Sequence, residues 1–193
     1  MDKFAQRRVA EEAARLMVDG VETEYLHAKE SAILALGLSG QTRLPSNRKI
    51  REYIGQITKN RLGDDQVKRR ICEMREIALH IMTLIEDCDP YLIGSTLSGD
   101  IRESSDVDLH AYSDEYEALT ERLRSWTHQD VEAEVVENRK GTFVHLKWFE
   151  NQYPIEITVY PWSWRHVVPI SSVTCKPMKR ADIVAVKKLL ALS

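Results

Sequence analysis

The chain has 193 residues and a mass of 22.3 kDa, which suits one domain of ordinary size and excludes a large multidomain enzyme. Hydrophobic residues make up 43% and charged residues 30% of it, a composition that supports a packed core and excludes a disordered chain. No apolar stretch approaches the roughly 20 residues of a membrane span, and no signal-peptide pattern is visible. We therefore expect a cytoplasmic protein without membrane contact.

The net charge of −3 hides a basic segment in the first half of the chain. Residues 43–75 contain ten basic and four acidic side chains. Such a segment is typical of a solvated helix face, and it is also compatible with an anionic partner such as RNA. The three cysteines lack the C-x-x-C spacing of metal sites, so we expect reduced packing residues: Cys72, Cys88 and Cys175.

Apolar residues recur three and four positions apart up to about residue 87, which predicts helices. Two helices are expected before residue 40, and a third from about Arg48 to Asn60 after a loop that ends in an N-cap. A long amphipathic helix is expected to begin at Asp64. The expected helix stops are glycines: Gly20, Gly37, Gly40 and Gly63.

After Asp89-Pro90 the period of the apolar residues changes to two, which predicts strands. One helix, residues 114–126, is expected among them, and another, from about Lys179 to Leu190, near the end. The fold class is therefore α+β: a helical region over 1–88, then a core over 89–193 with a short mixed or antiparallel sheet backed by helices. The predicted strands are Tyr91–Gly94, Asp106–Ala111, Val131–Val136, Thr142–Trp148 and Pro154–Val159.

The most informative residues follow the first predicted strand. Gly94-Ser95 places a backbone without a side chain, and then a small hydroxyl, where a helical turn begins, as a phosphate site requires. Asp106 and Asp108 lie two apart on the next strand, so their carboxylates share one face. Neighbouring carboxylates repel each other, and a divalent cation relieves that repulsion.

A third acid occupies the last predicted strand. Ile155, Ile157 and Val159 form one face of that strand and leave Glu156 on the other. If this strand lies near Asp106, the three acids converge on a patch suited to Mg²⁺ and a triphosphate, because Mg²⁺ prefers oxygen ligands and substrate phosphates. Glu134, in another alternating run, is the alternative third acid.

These residues resemble the polymerase-beta-type nucleotidyltransferase superfamily, especially its minimal members. Those members have Gly-Ser at a strand end, Asp-x-Asp on the next strand and a third acid between hydrophobic residues. The resemblance covers about residues 90–161. It implies Mg²⁺-dependent transfer of a nucleoside monophosphate from a nucleoside triphosphate, ATP above all, to an acceptor hydroxyl. The matching elements are Gly94-Ser95, Asp106-Val107-Asp108 and Ile155-Glu156-Ile157.

Two departures from the family pattern bear on this expectation. Many minimal members have arginines after the Gly-Ser pair, where this chain has Thr96 and Ser98, and the third acid is Glu instead of the commoner Asp. An alternative function is therefore a non-catalytic or antitoxin-like regulatory module that binds a protein partner. If the chain is an enzyme, the acceptor is open, with RNA or a protein as candidates.

Three further polar residues have the strand parity of the acids and are expected at the surface: His110, His145 and Lys147. A small basic cluster, formed by Lys176, Lys179 and Arg180, begins the last predicted helix. It is compatible with a triphosphate or acceptor contact and equally with a solvated helix start.

Overall fold

The structure is a computed structural model that describes residues 2–38, 42–138, 141–170 and 176–192. The predicted stop at Gly40, the middle of the turn at 138–141 and Cys175 lie outside these residues. Within the described ranges, no helix is both long enough and apolar enough to cross a membrane. The chain divides into two compact units, which are described separately below.

The first unit contains the described residues up to 67, together with 100–104, 170 and 176. Its helices are α1 (Asp2–Val18), α2 (Tyr25–Ala35) and α3 (Asn47–Leu62), and α1 packs against both of the others. The Ser46 hydroxyl accepts a hydrogen bond from the Lys49 amide and begins α3, as an N-cap should. Alanines let the helices approach closely, and five of them are fully buried: Ala10, Ala13, Ala14, Ala28 and Ala32.

A long helix, α4 (Asp64–Leu84), has its first residues in the first unit and the rest in the second. Within the second unit, the hydroxyl of Tyr153 donates a hydrogen bond to Glu73 of α4. Burial, followed by this bond, raises the pKa of Tyr153 to about 12. The expected division into domains 1–88 and 89–193 stays a prediction.

The second unit is built on a five-stranded sheet with the order β1-β2-β5-β4-β3. The β2–β5 pair is parallel and the other pairs are antiparallel, so the sheet is mixed. This confirms the predicted α+β class with a mixed sheet. The strands are β1 (Tyr91–Leu92), β2 (Val107–Tyr112), β3 (Glu132–Asn138), β4 (Gly141–Glu150) and β5 (Tyr153–Tyr160).

Three helices complete the second unit: α5 (Gly94–Ser98), α6 (Tyr116–Thr127) and α7 (Ile183–Ala191). The prediction that the last helix begins near Lys179 is wrong by about a turn. Ala181 forms two backbone hydrogen bonds with Leu92 of β1, so it takes part in a β-bridge and not in the helix. The Asp182 side chain then accepts a hydrogen bond from the Ala185 amide and caps α7.

Candidate active site

One face of the sheet carries the predicted acids. Along β5 the side chains alternate between buried and half-buried, and Glu156 is among the half-buried ones. Asp108 of β2 lies directly opposite Glu156 in the parallel register. Neighbouring strands are about 4.8 Å apart, so these two carboxylates project side by side from adjacent strands.

Asp106 precedes β2 and is half-buried, like Asp108. Among the described residues, no group of three or more His, Cys, Asp or Glu side chains is gathered closely enough to hold a metal ion. The structure does place Asp108 and Glu156 at paired positions on the adjacent strands β2 and β5. A shared site for Asp106, Asp108 and Glu156 stays a proposal.

Gly94 lies against the carboxyl group of Asp108. It has a φ of +72°, in the left-handed region that glycine tolerates best. A Cβ added there would be 3.1 Å from the Asp108 Cγ and would overlap its Oδ2. The turn that begins at Gly94 therefore admits only glycine if the Asp108 carboxyl keeps its place.

The turn after Gly94 is joined by hydrogen bonds to the residues just before β2. The hydroxyl of Ser95 donates to the Ser105 hydroxyl at 3.1 Å. Thr96 is fully buried, and its hydroxyl donates to the backbone carbonyl of Asp106 at 2.8 Å. Ser95 and Thr96 thereby fix the turn that begins at Gly94 relative to Asp106, the first predicted metal ligand.

The other end of this turn is held by Arg75 of α4. Its guanidinium donates to the carbonyls of Thr96 and Leu97, both at 3.1 Å. These carbonyls belong to the last residues of α5, which lack partners within so short a helix. Burial lowers the pKa of Arg75, as expected for a cation that is removed from water.

Glu156 has a histidine partner that sequence reasoning placed at the surface. Nδ1 of His145, on β4, lies 2.8 Å from Oε1 of Glu156, and the Thr158 hydroxyl is 3.4 Å from the same nitrogen. The alternation of β4 was the sequence feature that could have predicted this contact, because parity puts His145 on the same face as the acids. No sequence signal paired Arg75 with the turn.

The alternative third acid, Glu134, lies on the edge strand β3. It accepts a hydrogen bond from Lys147 at 2.8 Å, and this bond lowers the pKa of Glu134 and raises that of Lys147. Glu134 is separated from Asp108 by three strand spacings, about 14 Å. Asp108 and Glu134 are too far apart to share one cation.

The prediction that His110 lies at the surface is wrong. His110 is 3% exposed and packs edge-on against the ring of Tyr160. Burial, with smaller contributions from Arg180 and His145, lowers the pKa of His110 to about 4. Arg180 itself lies over the ring of Tyr91 and donates to the Tyr112 hydroxyl, so part of the predicted basic cluster packs against the aromatic end of the sheet.

A cavity of about 500 Å³ opens beside the acids. Its lining includes Asp106 and Glu156 together with the apolar residues Trp148, Phe149 and Ile155. The other lining residues are Gln129, Asp130, Glu132, Lys147 and Pro154. The volume is within the range of small-molecule sites.

The donor set of the acids fits Mg²⁺. Asp106, Asp108 and Glu156 offer only carboxylate oxygens, which Mg²⁺ prefers. Gly94 lies against the Asp108 carboxyl, so the turn that it begins is next to this acid. Mg²⁺ typically takes one or two carboxylates together with phosphates, so a preformed cage of three protein ligands is not required.

No protein-family model and no curated protein matches the sequence. Among solved structures, the chain is similar to a cytoplasmic RNA terminal U-transferase, with 15% identity, a TM-score of 0.34, and coverage of 60% of this chain and 38% of the other. It is also similar to the Cid1 RNA terminal uridylyl transferase, with 16% identity, a TM-score of 0.36, and coverage of 58% and 36%. A structure of Cid1 with a UTP analogue has 16% identity and a TM-score of 0.35, and the match covers 59% of this chain and 37% of the other.

These solved structures are described as RNA terminal uridylyl transferases. The chain spans less than two fifths of their length. Their identities and TM-scores are too low to transfer an activity, so the function proposed below depends on this chain's own residues.

Proposed function

We propose that the protein is a Mg²⁺-dependent nucleotidyltransferase that moves a nucleoside monophosphate from a nucleoside triphosphate to an acceptor hydroxyl. The observation that supports this most is the position of the Asp108 carboxyl. It lies against the backbone of Gly94 on one side and beside Glu156 on the other. The proposed metal-binding acid, the proposed phosphate-binding turn and the proposed third acid are thus adjacent.

In the proposed step, the acceptor oxygen attacks the α-phosphorus of the triphosphate. A new oxygen–phosphorus bond forms as the bond between the α-phosphorus and the bridging oxygen breaks, and pyrophosphate leaves with that electron pair. The acceptor proton passes to the carboxylate of Glu156. Most of the catalysis in such a transfer comes from positioning and from neutralisation of charge.

Each residue has a separate role in this proposal. Asp106 and Asp108 would hold Mg²⁺, which neutralises the triphosphate and orients it for in-line attack. The backbone of Gly94 and the hydroxyl of Ser95 would contact the departing phosphates. Glu156 would complete the metal site and accept the proton, since it is the acid in register with Asp108.

His145 supports the assignment of Glu156 over Glu134. Its ring nitrogen holds one carboxylate oxygen of Glu156 and leaves the other for a metal or a hydroxyl. Glu134 is instead bonded to Lys147 on the edge strand. We therefore propose Glu156 as the third acid.

Thr96 weakens the argument for a non-catalytic module. The absence of an arginine at this position suggested a loss of phosphate charge, but the side chain is fully buried and bonded to the carbonyl of Asp106. An arginine there would have to enter the core, so Thr96 serves to fix the turn. The alternative of a regulatory protein-binding module is then supported only by Ser98, the other position at which many family members have an arginine.

The test measures binding and transfer separately. Calorimetry with each of the four nucleoside triphosphates, with and without Mg²⁺, is expected to give Mg²⁺-dependent binding, with ATP the expected donor. Incubation of the protein with labelled triphosphate, Mg²⁺ and fractionated cell extract then identifies the acceptor as RNA, protein or small molecule by the fraction that gains label.

The variant Asp108→Asn is expected to abolish labelling and Mg²⁺-dependent binding while the fold is kept, because the loss of one of two neighbouring charges relieves repulsion in the metal-free protein. Asp65→Asn, at an exposed aspartate of α4, is the matched control. Full activity of Asp108→Asn at saturating Mg²⁺ would refute the proposed mechanism. Triphosphate binding without any labelled acceptor would favour the regulatory module.

A further inference from the structure

The two edges of the sheet differ in how their backbone is covered. At one edge, β1 has only two residues, and its Leu92 forms two backbone hydrogen bonds with Ala181. At the other edge, β3 pairs with β4 over seven consecutive residues without a bulge. Among the described residues, none bonds to the outer backbone edge of β3. A row of unpaired amides and carbonyls is a template for another strand.

One face of β3 is apolar and exposed. Ala133 and Val135 pair with Leu146 and Val144 of β4, so they lie on the same face of the sheet as these two residues. Leu146 and Val144 are buried, whereas Ala133 is exposed and Val135 is 56% exposed. The packed layer on this face therefore ends at β4. Apolar side chains from an added strand would extend that layer and cover Val135.

The charge of β3 indicates what kind of strand fits this edge. The strand contains three glutamates, Glu132, Glu134 and Glu137, and no basic residue. Lys147 is the only cation that forms an ion pair with any of them among the described residues. If β3 paired with the same strand of a second copy, the glutamates of both copies would be brought together, and like charges on paired strands are destabilising. A basic strand has the complementary charge.

We propose that β3 binds an extended basic segment of a partner protein, which adds to the sheet as a further strand. Its lysines or arginines would lie on the face of Glu132 and Glu134, and its alternate residues, β-branched and apolar, would cover Ala133 and Val135. In such complexes the backbone hydrogen bonds provide affinity and the alternating side chains provide specificity. This inference does not rest on the proposed nucleotidyl transfer, because it involves none of the proposed catalytic residues.

A matched pair of labelled peptides tests the charge. The first is a capped peptide of alternating lysine and valine, with a threonine at each end and as many residues as β3. The second has glutamate in place of each lysine. Fluorescence anisotropy with the full chain is expected to give about tenfold tighter binding, or more, for the lysine peptide, because it replaces repelling cross-strand pairs with attracting ones. Equal affinity for the two peptides, or no binding of the lysine peptide, would overturn the proposal.

A third peptide tests whether the backbone pairs. It is the lysine peptide with N-methyl groups on its lysine and valine amides, so its charge and side chains are kept while these amides no longer donate hydrogen bonds. It is expected to bind about tenfold more weakly, or worse, because several backbone hydrogen bonds are lost together. Equal affinity of the methylated and unmethylated peptides would show that the attraction is only electrostatic, and strand addition would be refuted.

A charge-swapped protein locates the binding at β3. The double variant Glu132→Lys with Glu134→Lys is expected to reverse the preference, so that it binds the glutamate peptide more tightly than the lysine peptide. Binding that is gained in this way also shows that the variant is folded. Glu115→Lys with Glu117→Lys changes the charge equally at exposed positions at the start of α6 and is the control. An equal reversal in the control, or none in the β3 variant, would refute this location.

The competing occupant of this edge is a second copy of the chain. Sedimentation velocity of the wild-type protein over a concentration series is expected to show a monomer, which then binds the lysine peptide. Val135→Lys, which places a cation on the exposed apolar face of β3, is expected to leave the monomer unchanged and to weaken the lysine peptide. A wild-type dimer that is lost in Val135→Lys would show that a second copy covers β3, and the assignment of a basic partner would be wrong.

Discussion

Replacement of Gly94 by alanine tests how closely the turn that begins at Gly94 packs against Asp108 of β2. An alanine at this position meets two penalties. Its φ of +72° is unfavourable for any side chain, and its Cβ would overlap the carboxyl of Asp108. Gly99, at the end of the same short helix, has only the first penalty. Its φ is +81°, but the nearest atoms to an added Cβ are 3.8 Å away. The variant Gly99→Ala therefore measures the backbone penalty without the overlap.

The magnitudes follow from these two geometries. A left-handed backbone costs a non-glycine residue about 1–2 kcal/mol, and this is the whole penalty expected for Gly99→Ala. Gly94→Ala adds the cost of an overpacked contact, about 1–3 kcal/mol, for a total of about 2–5 kcal/mol. At about 2–4 °C per kcal/mol for a chain of this size, the melting temperature should fall about 2–8 °C for Gly99→Ala and further for Gly94→Ala.

Thermal unfolding of both variants, repeated in an Asp108→Ala background, measures the contact directly. Removal of the carboxyl eliminates the overlapping oxygen and Cγ, so most of the extra penalty of Gly94→Ala should disappear in the double variant, a coupling of about 1–3 kcal/mol. Calorimetry should also show weaker Mg²⁺-dependent nucleotide binding in Gly94→Ala than in Gly99→Ala. Equal destabilisation by the two alanines, with no coupling to Asp108, would refute the close approach.

Two further predictions concern the third acid and a buried tyrosine. Glu156→Gln is expected to lower kcat about 10²–10⁴-fold with a small change in nucleotide affinity, because the proton acceptor acts mainly in the transition state; Glu134→Gln is the control, and the reverse pattern in steady-state kinetics would reassign the third acid. The raised pKa of Tyr153 stabilises the fold fully below pH 10, and this contribution is lost as pH rises from 10 to about 12. Tyr153→Phe should therefore show a shallower fall of the unfolding free energy over that interval in denaturant titrations, and parallel curves for the two proteins would contradict the shift.

The sequence predicted β5 well because its residues alternate over the whole strand. Along β5 the alternation of buried and half-buried positions continues from end to end, so both its existence and the side of Glu156 were predictable. The start of α7 was not predictable, because Ala181, which precedes the helix, pairs with Leu92 of β1. The two backbone bonds between Ala181 and Leu92 depend on a pairing that a local window does not contain.

The candidate site was predictable in its residue types and only partly in its contacts. Strand parity put Asp108, Glu156 and His145 on one face. The bond between His145 and Glu156 depends on which strands are neighbours and in what register, which parity does not fix. The buried position of His110 likewise arises from an aromatic neighbour, Tyr160, that comes from another strand.

The way the turn is held also bears on how a triphosphate would be neutralised. The five residues of α5 contain no cation, and Arg75, the buried cation behind them, directs its guanidinium at the carbonyls of Thr96 and Leu97. Those bonds lie at the carbonyl end of the turn, away from the amides that follow Gly94. Arg75 therefore fixes the turn. It does not replace the phosphate-binding arginines that many family members have at the positions of Thr96 and Ser98. In the proposed reaction, most of the positive charge that neutralises the phosphates would then come from Mg²⁺ held by the acids.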